Sequence, residues 1–286
     1  MRRMLALELR EAFSNRWFTI AVLAAVLLAA LAAGESVEKF NTNGFDASDS
    51  SYYAYYSSWS SVSVWLGVGA WGRSSLYYLF FYGIIFVAPL AYSWSSSTDI
   101  RSGYARQLAV RSTKKYYLFS KLFACFSASF VVAACGLLAN LLFVSLFFPA
   151  YPPFSYDSLY TGMTYGKVLA DLYYANPILF IAVRTLFDSC VCGAWAAFVA
   201  SIGWFSRHVA LNYIASYLGL LGLEFLNHYF FAAITTAPIF EFSVFQIIQS
   251  WSFEYAHEPL VSLVVLAILA LGSVLLTLVK CRRDLL

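Results

Sequence analysis

At 286 residues and a net charge of +3, the chain is 61% hydrophobic, 19% aromatic and only 12% charged, with a mean hydropathy of +0.70. Soluble domains carry about 25% charged residues, so this composition excludes a water-soluble globular protein and makes the lipid bilayer the solvent. The basic residues flank apolar runs instead of forming one stripe, which excludes nucleic acid as a partner.

A membrane-crossing helix needs roughly 20 mostly apolar residues, because the hydrocarbon layer is about 30 Å thick. Six stretches qualify, approximately Trp17–Ala33, Leu76–Trp94, Leu118–Phe148, Pro177–Phe205, Val209–Ile234 and Leu260–Val279. The expected fold is therefore an all-α integral membrane protein of six transmembrane helices, forming one domain over residues 1–286.

Residues 2–15 precede the first span. Leu5, Leu9 and Phe13 recur at i+4, with Arg2, Arg3, Arg10 and Glu11 elsewhere around the helix, the pattern of an amphipathic helix lying in the interface. Ala30-Leu31-Ala32 has the small-residue form of a signal-peptidase site. Glu8 and Glu11 in the lead-in, and an apolar run longer than a signal peptide needs, favour a retained first span.

Residues 34–75 are rich in Ser, Tyr, Trp, Asp and Glu, and their aromatic run is expected outside, with its rings at the headgroup level. The second span contains Pro89, which is tolerated where neighbours satisfy the freed backbone groups. The third apolar run exceeds what one crossing requires, and Pro149, Pro152 and Pro153 end it. Between spans five and six, residues 238–258 are apolar enough to dip into the membrane yet too short and charged to cross it.

Charge asymmetry sets the orientation. Arg2, Arg3, Arg10, Arg16, Arg101, Arg106, Arg111, Lys114, Lys115, Lys121, Arg207, Lys280, Arg282 and Arg283 fall on one side, and only Lys39, Arg73 and Lys167 on the other. The positive-inside rule then places both termini in the cytoplasm. The five cysteines lie within or beside apolar runs, so no disulfide framework is expected.

No phosphate-binding Gly-x-x-x-x-Gly-Lys-Ser/Thr loop and no His-Glu-x-x-His pair occurs. Glu254-x-x-His257 is half of a di-metal carboxylate arrangement and is read as chance, and no catalytic, cofactor or metal residue is assigned. Cys190 and Cys192 point to different faces of a helix and read as packing residues.

Charges inside the spans carry more information. Arg184 and Asp188 share a face of span four; Glu224, Asn227 and His228 share one on span five. Counted inward at 1.5 Å per residue, Arg184, Glu224 and Asp188 lie at roughly 11, 15 and 17 Å depth. A three-membered ion network can form there, either fixing helix packing or lining a translocation path.

The segment from Asp99 to Leu122 is the longest charged stretch between two apolar runs. Ile100, Tyr104 and Leu108 recur at i+4, which predicts a short surface helix, and Ser112 or Thr113 can cap a new helix leading into span three.

This layout resembles the type-2 ATP-binding-cassette permeases, the six-span membrane subunits of ABC transporters. In that family span two is followed by an acidic residue, a glycine, an apolar pair, a basic residue and an aromatic–x–x–x–Lys start to span three. Asp99, Gly103, Leu108, Arg111, Tyr117 and Lys121 occupy the corresponding positions. The resemblance implies that residues 99–115 are the coupling region, with Asp99, Ile100, Gly103, Tyr104, Arg106, Leu108 and Arg111 meeting a separate cytoplasmic ATPase. It further implies a second permease subunit, identical or a sister chain, outward transport across a bacterial plasma membrane, and ATP bound by the partner alone. Two other readings stand beside it: an ion-coupled secondary transporter using Arg184, Asp188 and Glu224, and a non-transporting membrane scaffold or sensor.

Overall fold

The computed structural model describes residues 2–42, 59–67, 75–105, 107, 113–153, 163, 169–206, 208–226, 229, 243–249 and 259–282. These residues are all-helical, without strands. Helices α1 (Arg2–Ser14) and α2 (Arg16–Thr42) meet at Asn15, whose side chain accepts from Trp17 N at 3.1 Å and so caps α2. Next come α3 (Ser61–Trp65), α4 (Ser75–Leu90), α5 (Ser95–Ser102), α6 (Lys114–Phe147) and α7 (Ala170–Ala175). The order finishes with α8 (Pro177–Gly203), α9 (Val209–Phe225), α10 (Val244–Ile248) and α11 (Pro259–Arg282).

Five helices are long and apolar enough to cross a membrane: α2, α4 continued through α5, α6, α8 and α11. The fifth of the six expected spans is represented by α9, whose 17 residues reach only about 25 Å. Residues 230–234 of that expected span lie outside the described residues.

The packing has the inside-out signature of a protein in lipid. Along α2, Ala21, Ala25, Ala29 and Ala32 are buried, whereas Leu23 and Leu27 are more than 60% exposed. Without a hydrophobic drive between helices, lipid-embedded helices associate through small residues that let backbones approach. Glycines at the closest crossings serve the same end. An added Cβ on Gly136 of α6 would stand 3.2 Å from Ala25 Cβ, and one on Gly193 of α8 would stand 3.0 Å from the Phe126 backbone oxygen.

Buried polar groups tie these contacts. Asn140 of α6 donates to Ala29 O at 3.0 Å and accepts from the Tyr77 hydroxyl at 3.3 Å, joining α2, α4 and α6. Helix α8 is central, packing against α4, α5, α6, α9, α10 and α11. Its start follows sequence rules: Asn176 caps it by accepting from Leu179 N at 3.1 Å, and Pro177 occupies the first turn.

Pro89 lies inside α4, one residue before its end, and neighbours satisfy carbonyls beside it. Ser129 donates to Ala88 O at 2.7 Å, and the Tyr213 hydroxyl donates to Phe86 O. All five cysteines are free.

Two expectations need correction. Helix α2 runs to Thr42 instead of ending near residue 33. Its polar extension is held by the Glu35–Lys39 pair at 3.6 Å and by Glu35, which accepts from Ser75 N at 3.0 Å and Leu76 N at 2.6 Å. A carboxylate thereby satisfies donors that the first turn of α4 would otherwise leave unpaired. Secondly, Trp59 and Trp65 do not lie at the surface. Both are buried, and Trp65 Nε1 donates to Leu137 O at 3.0 Å, because an indole N–H taken from water needs a partner.

Gly193→Ala should destabilise the bundle by about 1–3 kcal/mol, since a backbone oxygen cannot yield to the new methyl. Gly34→Ala meets nothing within 4 Å and should be neutral or stabilising. Thermal unfolding in detergent distinguishes the two.

Candidate functional site

Lys121 enters α6 two turns from its start, in a helix otherwise apolar at this depth, and is 1% exposed. An ammonium withdrawn from water requires counter-charge and acceptors. The fold supplies them from three other elements. Lys121 Nζ lies 2.7 Å from Asp99 Oδ2 of α5, 3.2 Å from Glu8 Oε2 of α1 and 3.1 Å from the hydroxyl of Tyr92, between α4 and α5. Its three donors are thereby used.

A second ring of contacts surrounds the cluster, with Glu8 Oε1 left as a buried acceptor without a partner among the described residues. Tyr117, one helical turn before Lys121, donates to the same Asp99 oxygen at 2.6 Å. The Tyr92 hydroxyl stands 2.9 Å from Glu8 Oε2 and 3.2 Å from Glu11 Oε2. Two carboxylates on one ammonium, with Glu11 close by, make the site net negative. Burial raises the Glu8 carboxyl above the usual carboxylate range, and the Lys121 ammonium beside it only partly opposes this. Burial first, then the charges of Glu11, Glu8 and Asp99, also raise the Tyr104 phenol.

The expected coupling face is altered by Gly103. Helix α5 stops at Ser102, and Gly103 adopts φ 75°, a left-handed cap donating to Ile100 O at 3.3 Å. The i+4 face of Ile100 and Tyr104 is therefore interrupted. Asp99 turns inward to Lys121, and Ile100 packs beside Tyr117, Leu118 and Trp204. Among the described residues of 99–115, Arg101, Ser102, Gln107, Thr113 and Lys115 are the exposed ones. Arg106, Leu108, Arg111 and Ser112 lie outside the described residues; Thr113 occupies the cap position of α6, without a side-chain bond.

The intramembrane charges divide into two separate arrangements. Arg184 Nε donates to Asp188 Oδ2 at 2.9 Å, the expected i,i+4 pair. Its Nη2 donates to the Ile247 carbonyl and, at 2.9 Å, to that of Ile248. A guanidinium thus closes the C-terminal end of α10, where carbonyls lack helical partners and a cation is favoured.

Glu224 does not join this pair. Its Oε1 accepts from Gln246 Nε2 at 2.6 Å and from the Tyr82 hydroxyl at 3.4 Å. The expected three-membered ion network is thus replaced by a pair and a separate carboxylate, since a shared depth along two helices does not make two side chains face each other. Asn227, His228, Glu254 and His257 lie outside the described residues, and no metal-binding cluster occurs among those described.

Sequence reasoning missed Glu8, Glu11 and Tyr92 as site residues. The signal was present: a lysine inside an apolar helix demands an acid, and Glu8 is the buried neighbour of Ala12 on α1.

Lys121→Met should cost about 3–5 kcal/mol of stability, because it leaves Glu8 and Asp99 facing each other without a counter-ion. Glu8→Gln should cost less and should flatten the pH response. With its folded-state value raised, Glu8 stabilises the fold most below the ordinary carboxylate range and loses that contribution as pH rises toward the raised value. Melting temperatures measured from acid to neutral pH should therefore fall for the natural chain relative to Glu8→Gln.

No family model, no curated protein and no solved structure matches this chain, so its site has to be understood from its own residues.

Proposed function

We propose that this chain is the membrane-spanning permease of an ATP-binding-cassette exporter, driven by a separate cytoplasmic ATPase. In this reading α9 and the residues after it form the fifth of six spans, both termini face the cytoplasm, and two permease subunits pair in the plasma membrane. The nucleotide is bound by the ATPase, and the chain itself is not an enzyme.

The observation that carries the reading is the convergence on Asp99. Three positions of the permease pattern, Asp99, Tyr117 and Lys121, meet at one carboxylate oxygen. Glu8 and Tyr92 extend the contact to the interfacial helix and to the end of the second span. A force applied to the loop after α5 would then move α1, α4 and α6 together, which is what coupling to an ATPase requires. Since Asp99 and Ile100 face inward, the ATPase contact shifts to Arg101, Ser102 and Gln107 and to the basic residues that follow.

The ion-coupled reading needs Arg184, Asp188 and Glu224 to act as one relay. Glu224 bonds to Gln246 and Tyr82 instead, and Arg184 is committed to α10, so this reading has less support.

Reversing Arg106 and Arg111 to Glu should reduce co-purification of the ATPase roughly tenfold or more while leaving the melting temperature unchanged. Undiminished co-purification would remove the coupling assignment.

A further inference from the structure

Glu224 is a half-buried carboxylate at the next-to-last position of the apolar helix α9. No lysine, arginine or histidine pairs with it among the described residues, and its hydrogen-bond donors, an amide and a phenol, are both neutral. Its second oxygen, Oε2, is buried and has no partner. An ionised acid in an apolar layer is costly and calls for a positive charge.

The surroundings of Glu224 are aromatic. The Tyr82 ring stacks on Phe245 at 4.3 Å, Tyr217 meets Phe245 edge-on at 5.8 Å, and Phe86 of α4 meets Tyr217 at 5.0 Å. Further along the same α4–α9 seam lies an apolar groove of about 390 Å³, bounded by Trp17, Phe86, Trp94 and Tyr213. That volume is of drug-ligand size. Aromatic faces beside a lone carboxylate are the combination that recognises organic cations, through ring quadrupole and ionic attraction together.

We propose that Glu224, with Gln246 and Tyr82 orienting its carboxylate, binds an amphipathic organic cation whose apolar body lies along the α4–α9 seam. The occupant is a small organic cation: the buried Oε2 of Glu224 has no partner, and the stacked rings of Tyr82 and Phe245 beside the carboxylate offer aromatic faces to such a charge. The proposal deepens the permease reading by naming the substrate class. Binding needs no ATPase, so the two can fail separately.

The test uses the whole chain in phosphatidylcholine nanodiscs with radiolabelled tetraphenylphosphonium as the probe. Saturable binding above empty discs is expected. Glu224→Gln should weaken it by about tenfold or more, and Glu224→Asp should retain most of it. Tetraphenylmethane, a neutral compound of similar shape, should not compete.

A second measurement uses the natural chain alone. The probe should protect Glu224 from an apolar carbodiimide, read by peptide mass spectrometry. Absence of saturable binding, equal binding by Glu224→Gln, competition by the neutral compound, or a lack of protection would each overturn the proposal. Displacement of the probe by added phosphatidylethanolamine would do so as well, making a lipid the occupant.

Discussion

The buried ammonium of Lys121 is the constraint on which one whole end of this bundle depends. A lysine cannot sit dry among helices unless acids come to it, and here they come from two different elements. Helix α1 is docked by Glu8, α5 is folded back by Asp99, and the junction between α4 and α5 is fixed by Tyr92. Four pieces of chain separated by up to about a hundred residues thus share one charge centre. Non-directional apolar contact in lipid would not select this arrangement, because lipid tails compete for the same surfaces.

The rest of the bundle is organised by closeness instead of charge. Alanines on α2 and glycines on α6 and α8 bring backbones together, and isolated polar groups such as Asn140 lock the crossings. The leucines that would form the core of a soluble protein face outward. The two devices are complementary: small residues allow many similar packings, and the buried polar contacts choose among them.

Much of the architecture was legible in the sequence because hydropathy reports the solvent directly. The long helices, the helical lead-in and the Arg184–Asp188 pair all follow from run length or i,i+4 spacing. What failed did so for identifiable reasons. The overrun of α2 depended on Glu35 reaching Ser75 and Leu76, a contact across 40 residues that no local pattern encodes. The proposed coupling face treated Gly103 as an ordinary helical residue, whereas its positive φ redirects the chain. The misplacement of Glu224 arose because depth in a membrane can be counted from sequence, but rotation about the helix axis against a neighbour cannot.

The attachment of Arg184 to α10 bears on biogenesis. The carbonyl that accepts its guanidinium belongs to Ile247, 63 positions later in the chain, so translation delivers the cation to the membrane well before its backbone partners exist. Asp188, four positions away on the same helix, is available from the outset. The pair can enter the bilayer as a nearly neutral unit, with the acid escorting the base until the last segments arrive.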